Sequence, residues 1–338
     1  MKTKQIVFTK PYTAELLEVE CPPPTEDQVT VHLAYSAISS GTEKANFIGV
    51  RNATNMAEND APVFPRTVGY SAAGTVTAVG SSVTDIAVGD RVVVFWGKHI
   101  RDITIHKSKV MKIPDGVSFE EAALAFIATF PLAAVRKCHL ELGESALVMG
   151  LGILGLFAVE ELRAGGACPI IAADPIAERR ALALKLGADY ALDPTAENFT
   201  EEVLRLSHGG INVCIEVTGL GIGLIQALDC MKEMGRVALL GCTRSSKFEI
   251  DYYGKVHAKG ISLIGAHTNA RPKCETSAGL WTDRDDLDAV LRMMDGGRMS
   301  AKELIFEYHA PEEAQAIYDR LANERCFPVG VLFDWKEE

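Results

Sequence analysis

Two rhythms of apolar and polar positions divide the chain. From Ile6 to about Ile113, short β-branched runs alternate with turn residues, at 28–34, 74–79, 91–95, 103–105 and 110–113, and predict a compact, mostly β region. From Ser145 the rhythm becomes apolar run, helical stretch, apolar run, with the runs at 146–149, 170–173, 190–192, 213–217, 237–240 and 261–264. Six such strands separated by helices predict an α/β fold with a doubly wound parallel sheet. The helices at 151–163, 176–186 and 224–234 each stop at glycine, before Gly165 and Gly166, at Gly187 and at Gly235, as left-handed C-terminal caps require. Beyond about His267 come a loop, helices near 285–294 and 311–321, and a strand at 329–333. This tail is too short for a domain and is expected to pack on the first region. The expected domains are therefore 1–126 with 267–338, and an inserted 127–266.

Composition narrows the functional classes. The 338 residues are 48% hydrophobic and 23% charged, ordinary for a chain that folds unaided. A formal charge of −11 argues against nucleic acid or an anionic membrane as partner. No apolar run reaches the roughly 18 residues of a membrane span, and the first ten residues lack the apolar core of a secretory signal; a cytoplasmic protein is expected. Cys21, Cys138, Cys168, Cys214, Cys230, Cys242, Cys274 and Cys326 form no CxxC pair, so reduced, mostly buried thiols are expected.

The strongest motif is Gly150-Leu151-Gly152-Ile153-Leu154-Gly155, placed between a strand and the helix it opens. Glycine serves a tight turn at Gly150, backbone approach to a pyrophosphate at Gly152, and close helix packing at Gly155. The helix N-terminus, with Ile153 and Leu154 in its first turn, offers N–H groups to phosphate. Asp174 ends the next strand, where a carboxylate can accept both adenosine ribose hydroxyls and repel a 2′-phosphate. This favours NAD over NADP; Arg179 can reach the ribose edge, although Arg179 with Arg180 can also tolerate a phosphate. Thr218, Gly241, Cys242, Ala266 and His267 follow further strands at the ends where ligands bind in such sheets.

The chain resembles the medium-chain dehydrogenase/reductases. The resemblance rests on 69–80 (GYSAAGTVTAVG), Gly89-Asp90-Arg91-Val92, Ile113-Pro114, the stretch 121–135, the glycine motif and Lys185-Leu186-Gly187-Ala188. It implies a GroES-like β-barrel catalytic domain from both chain ends, a Rossmann domain between them, and a homodimer or homotetramer acting on a small molecule. It also places Ser40 and Thr129 beside the cofactor.

Zinc-dependent members carry a CGTD-like segment, which falls here on Ser40-Gly41-Thr42-Glu43, and a GHE segment, which falls on Gly69-Tyr70-Ser71. Their third ligand position is Ala125, and 95–110 lacks the cysteines of a structural zinc lobe. Because zinc needs about three Cys, His or carboxylate ligands, a member with no metal ligands and no zinc is expected. Ser39 to Glu43, Phe64-Pro65, Gly69-Tyr70-Ser71 and His99 are similar to the bacteriochlorophyllide hydroxyethyl dehydrogenase subgroup.

A secondary alcohol dehydrogenase of this type must handle a hydroxyl proton. By the resemblance Thr42 is the relay hydroxyl and Glu43 its orienter or base, unless both belong to a structural turn. Tyr70 can donate to a carbonyl oxygen or simply pack; His99 can titrate as acid or base or lie on the surface. His257 and His267 are assigned structural or cofactor-contact roles, and Lys44 and Arg271 are plausible contacts to a substrate anion, set against the reading that exposed basic residues are usually only solvated. The competing functions are a quinone or enoyl reductase and a catalytically silent NAD-binding protein.

Overall fold

The computed structural model describes residues 1–50, 63–243 and 247–336. The chain divides into two compact units, Met1–Ile127 with Leu291–Glu338, and Ala128–Val290.

The first unit begins with β1 (Lys2–Lys10) and β2 (Thr13–Glu20), an antiparallel pair absent from the sequence reading. β3 (Gln28–Ala37) leads directly into α1 (Ser40–Phe47). There follow β4 (Arg66–Thr67), β5 (Ser71–Val79), β6 (Arg91–Phe95), β7 (Asp102–His106) and β8 (Val110–Lys112). The division between the units falls inside α2 (Phe119–Lys137), which is apolar from 122 to 135 apart from Thr129.

The second unit holds β9 (Ala146–Met149), α3 (Ile153–Ala164), β10 (Ile170–Ala173), α4 (Ala177–Leu186), β11 (Tyr190–Leu192), α5 (Phe199–Leu206), β12 (Ile211–Glu216), α6 (Gly221–Asp229), β13 (Met231–Leu239), β14 (Ser262–Gly265) and α7 (Asp283–Asp295), which crosses back into the first unit. All pairings are parallel in the order β11-β10-β9-β12-β13-β14. The order reverses beside β9, and that switch point places the glycine turn where such sheets bind nucleotides.

The chain returns to the first unit with β15 (Ile305–His309), α8 (Ala314–Asn323) and β16 (Gly330–Asp334). β16 pairs antiparallel with β3, so the tail completes the β15-β16-β3-β5-β6-β8 sheet, with β7 on the other part of β3. Its side chains also close the core, where the Phe8 and Phe47 rings lie 4.7 and 5.6 Å from Tyr318 of α8.

The second domain boundary, expected at 266/267, lies at 290/291. Residues 267–290 are held in the second unit by polar ties to α2. Arg271 donates to the Thr129 carbonyl at 3.2 Å, and Arg136 donates to Asp286 at 2.8 Å. Arg271 is thus 9% exposed and bonded, not a solvated cation. Among the cysteines, Cys168, Cys242, Cys274 and Cys326 are exposed, so half the thiols are accessible rather than most being buried.

Candidate functional site

In the first unit, the step from β3 into α1 puts Ser39, Thr42 and Glu43 on one turn. Glu43 reaches back so that its Oε1 accepts from the Ser39 N–H at 2.9 Å. Its Oε2 accepts from the Tyr318 hydroxyl at 2.6 Å and faces His99 Nε2 at 3.0 Å. The carboxyl group is 1% exposed, so the Ser39 N–H, the Tyr318 hydroxyl and the His99 ring nitrogen are the partners it has inside the protein. Burial and the adjoining Glu43 raise the Tyr318 phenol well above its ordinary pKa, so it stays a donor.

His99 is fully buried, whereas the sequence offered an acid or base touching substrate or a surface residue. It does not line the pocket, and it meets Glu43, which does. Its Nδ1 lies 2.7 Å from Ser36 Oγ, which accepts from Trp335 Nε1 at 2.8 Å. Gly69 permits this approach: its φ is +88°, and a Cβ there would stand 2.4 Å from the His99 backbone nitrogen.

Tyr70 is half-buried and donates to Ser39 Oγ at 2.5 Å. Burial first, then the Glu43 charge, push its phenol up, against the hydrogen bonds with Ser39 and Thr42, so it remains a neutral donor. Thr42, Glu43, Val68, Gly69, Tyr70 and Trp96 line one pocket of about 170 Å³. Three of the four expected catalytic side chains therefore meet there. Sequence reasoning missed Tyr318, 275 residues from Glu43, and Ser36 with Trp335, 299 residues apart; no local signal marks such partners. Trp96 carried a signal only in being a large residue beside Gly97 in a turn.

In the second unit, Gly150 takes φ +95°, and a Cβ on Gly155 would lie 1.9 Å from the Gly150 carbonyl oxygen. A Cβ on Gly152 would meet nothing within 4 Å. That open cradle stands at the start of α3, which has no side-chain cap, so the arrangement fits a dinucleotide pyrophosphate. Ile153 is buried and Leu154 half-buried in that first turn.

Asp174 is 4% exposed, and its two oxygens accept from the Leu151 and Ile176 N–H groups, each at 2.8 Å. It fixes the glycine turn, and a ribose would have to share it. The Arg179 guanidinium lies 3.8 Å from the same carboxylate, while Arg180 donates to the Asp174 carbonyl at 2.7 Å.

Thr218 is half-buried and bonded to Glu216, and Gly241 packs so closely that a Cβ would stand 2.3 Å from the Gly219 nitrogen. Cys242 and His267 are exposed and Ala266 is buried, all after strand ends of the same sheet. Thr129 departs from expectation: it is fully buried in α2 beneath Arg271 and presents no hydroxyl to a ligand. Ser40 is half-buried as the first residue of α1, in the other unit from the glycine turn.

Residues 25–125 match the alcohol dehydrogenase GroES-like domain and residues 154–282 the zinc-binding dehydrogenase family. L-threonine 3-dehydrogenase of Thermococcus kodakarensis is 30% identical over 78% of this chain and 82% of its own. The chain is a medium-chain dehydrogenase/reductase. D-guloside 3-dehydrogenase of Escherichia coli is 25% identical over 98% of this chain and all of that one. The crystal structure of 2R,3R-butanediol dehydrogenase from Bacillus subtilis superposes with a TM-score of 0.83 at 24% identity, covering 98% and 99% of the two chains. This medium-chain dehydrogenase/reductase is accordingly an oxidoreductase. Among the described residues no helix is long and apolar enough to cross a membrane.

The expectation of no zinc is corrected by these matches, because the family is one of zinc-binding dehydrogenases. The three ligand positions here present the Ser40 hydroxyl, the Tyr70 phenol and the Ala125 methyl. Among the described residues no group of three or more His, Cys, Asp or Glu is placed to hold a metal. These residues do not fit a zinc ligand set.

Proposed function

We propose that this oxidoreductase interconverts a secondary alcohol and its ketone, with NAD preferred to NADP. The printed activities of the relatives support the substrate type, since position 3 of threonine and position 3 of a guloside are secondary carbinols. The observation that carries the reading is the meeting of Thr42 and Tyr70 hydroxyls beside Glu43 in one pocket.

Bound at the glycine turn, the nicotinamide dinucleotide supplies hydride exchange. Gly152 and the α3 N-terminus would hold its pyrophosphate, and Asp174 with Arg179 the ribose. Toward the ketone, Tyr70 donates its proton to the developing alkoxide, a task suited to a phenol kept neutral by burial. In the reverse direction the phenolate that this donation leaves takes the hydroxyl proton back. Thr42 shares the substrate oxygen, and Glu43, already holding three donors, orients the turn instead of accepting the proton.

Steady-state kinetics on a panel of secondary alcohols test the reading. Tyr70→Phe is expected to lower kcat by about 10²–10³ with the KM for NAD unchanged, and NAD to be preferred over NADP. Turnover of quinones or enones in place of alcohols would overturn it, as would an unaffected Tyr70→Phe.

A further inference from the structure

Ser39 occupies the N-cap of α1, a place where serine ordinarily accepts a backbone N–H of the helix's first turn. Here its side chain makes no such cap. The start of the helix is held by Glu43 instead, whose carboxyl accepts the Ser39 N–H at 2.9 Å while its own N–H donates to the Ser39 carbonyl at 2.8 Å. Both backbone polar groups of Ser39 are thereby tied to one residue, which fixes the direction of its Cα–Cβ bond. The hydroxyl that the helix leaves unused meets the Tyr70 phenol at 2.5 Å. Ser39 is 8% exposed, so water offers that contact little competition.

Tyr70 is fixed from its own side. Its carbonyl accepts the Trp96 N–H at 2.8 Å, and its ring stands 5.8 Å from that of Trp96 and 6.3 Å from that of Phe126, edge-on to the latter. With the ring held by packing, the freedom left to the phenol is rotation of its O–H about the C–O bond. That rotation decides the proposed chemistry, because the proton is directed at Ser39 and must turn to the substrate oxygen to be transferred. A serine hydroxyl can follow the turn, since it accepts and donates with equal ease. Burial and Glu43 oppose a phenolate at this place, and the bonds with Ser39 and Thr42 act the other way.

We infer that Ser39, which does not line the pocket, is a positioning residue for Tyr70: it accepts the phenolic proton at rest and donates to the phenolic oxygen once that proton has gone to the substrate. The Ser39 proton stays on Ser39 throughout. One O–H bond breaks at Tyr70, one forms on the substrate oxygen, and the phenolate that remains is held by a charge-assisted hydrogen bond until it takes a proton back. The inference rests on the alcohol dehydrogenase reading and adds to it a residue that acts through Tyr70.

Kinetics and spectroscopy of the full chain test it. Ser39→Ala is expected to lower kcat on a secondary alcohol by about tenfold with the KM for NAD unchanged, and Ser39→Thr, which keeps the hydroxyl, to restore most of the rate. In the Tyr70→Phe background Ser39→Ala is expected to cost less than about twofold. A full tenfold loss there would mark Ser39 as structural only and overturn the inference. Infrared spectroscopy of protein carrying isotope-labelled tyrosine reads the bond without turnover. The Tyr70 C–O stretch, identified as the band lost in Tyr70→Phe, is expected to move in Ser39→Ala and to return in Ser39→Thr. Ser39→Cys, close in size but a weak donor and acceptor, is expected to match Ser39→Ala and keeps the test decisive if alanine unfolds the turn. If the band moves and no secondary alcohol is oxidised, the hold on the phenol stands and the activity reading fails. A band that neither Ser39→Ala nor Ser39→Cys moves, or alcohol turnover at a kcat that neither changes, would overturn the inference.

Discussion

Tyr318 shows how much rests on one hydroxyl. It is fully buried, and its oxygen is one of three donors on Glu43. Tyr318→Phe leaves that buried carboxylate short of a partner and is expected to cost about 1–3 kcal/mol in denaturant unfolding. Tyr308→Phe, at an exposed ring, is expected to stay within about 0.5 kcal/mol; equal effects would remove Glu43 from the centre of the account. Thr42, Glu43 and Tyr70 were legible in the sequence because they occupy a short motif and a position where the family places a ligand. His99 was legible as a residue and not as a role, since burial is a property of the folded chain.

Helix α3 carries both the clearest motif and an unexpected strain. Its first turn follows from Gly150, Gly152 and Gly155, each required by a specific approach of backbone or ligand. Later in the helix, Glu161 is 3% exposed with neither carboxyl oxygen hydrogen-bonded. Burial, then the nearby Asp286 and Glu160, raise its pKa well above the usual carboxylate value, with Arg136 opposing. A raised folded pKa contributes stability that is full below the ordinary carboxylate range and is lost as pH climbs toward the folded value. Glu161→Leu is therefore expected to raise the Tm at pH 8 by several degrees, on the scale of about 1–3 kcal/mol, and less at pH 5. A pH-independent change would contradict this sign.

Element boundaries were less readable where pairing overrides local preference. The stretch 224–234 has a helical rhythm, yet α6 ends at Asp229 and β13 begins at Met231. There Met231 pairs with Ile211 and Arg236 with Val213, so the neighbouring strand decides. The polar, amphipathic α5 and the strand β15 gave no comparable signal and were missed.

Across the whole molecule, the parallel sheet was legible because its central strands β9, β10 and β12 are short apolar runs that lie almost wholly buried. The extent of the second unit was not, because residues 267–290 are tied by Arg136, Arg271 and Asp286 and not by periodic apolar positions. The most direct measurement follows deuterium from the carbinol carbon of a secondary alcohol onto the nicotinamide by mass spectrometry. Label is expected in the reduced cofactor with the native protein, and to fall at least about 100-fold in rate with Tyr70→Phe while the dinucleotide still binds. Bound dinucleotide with no label transferred from any alcohol, or transfer untouched by Tyr70→Phe, would contradict the account.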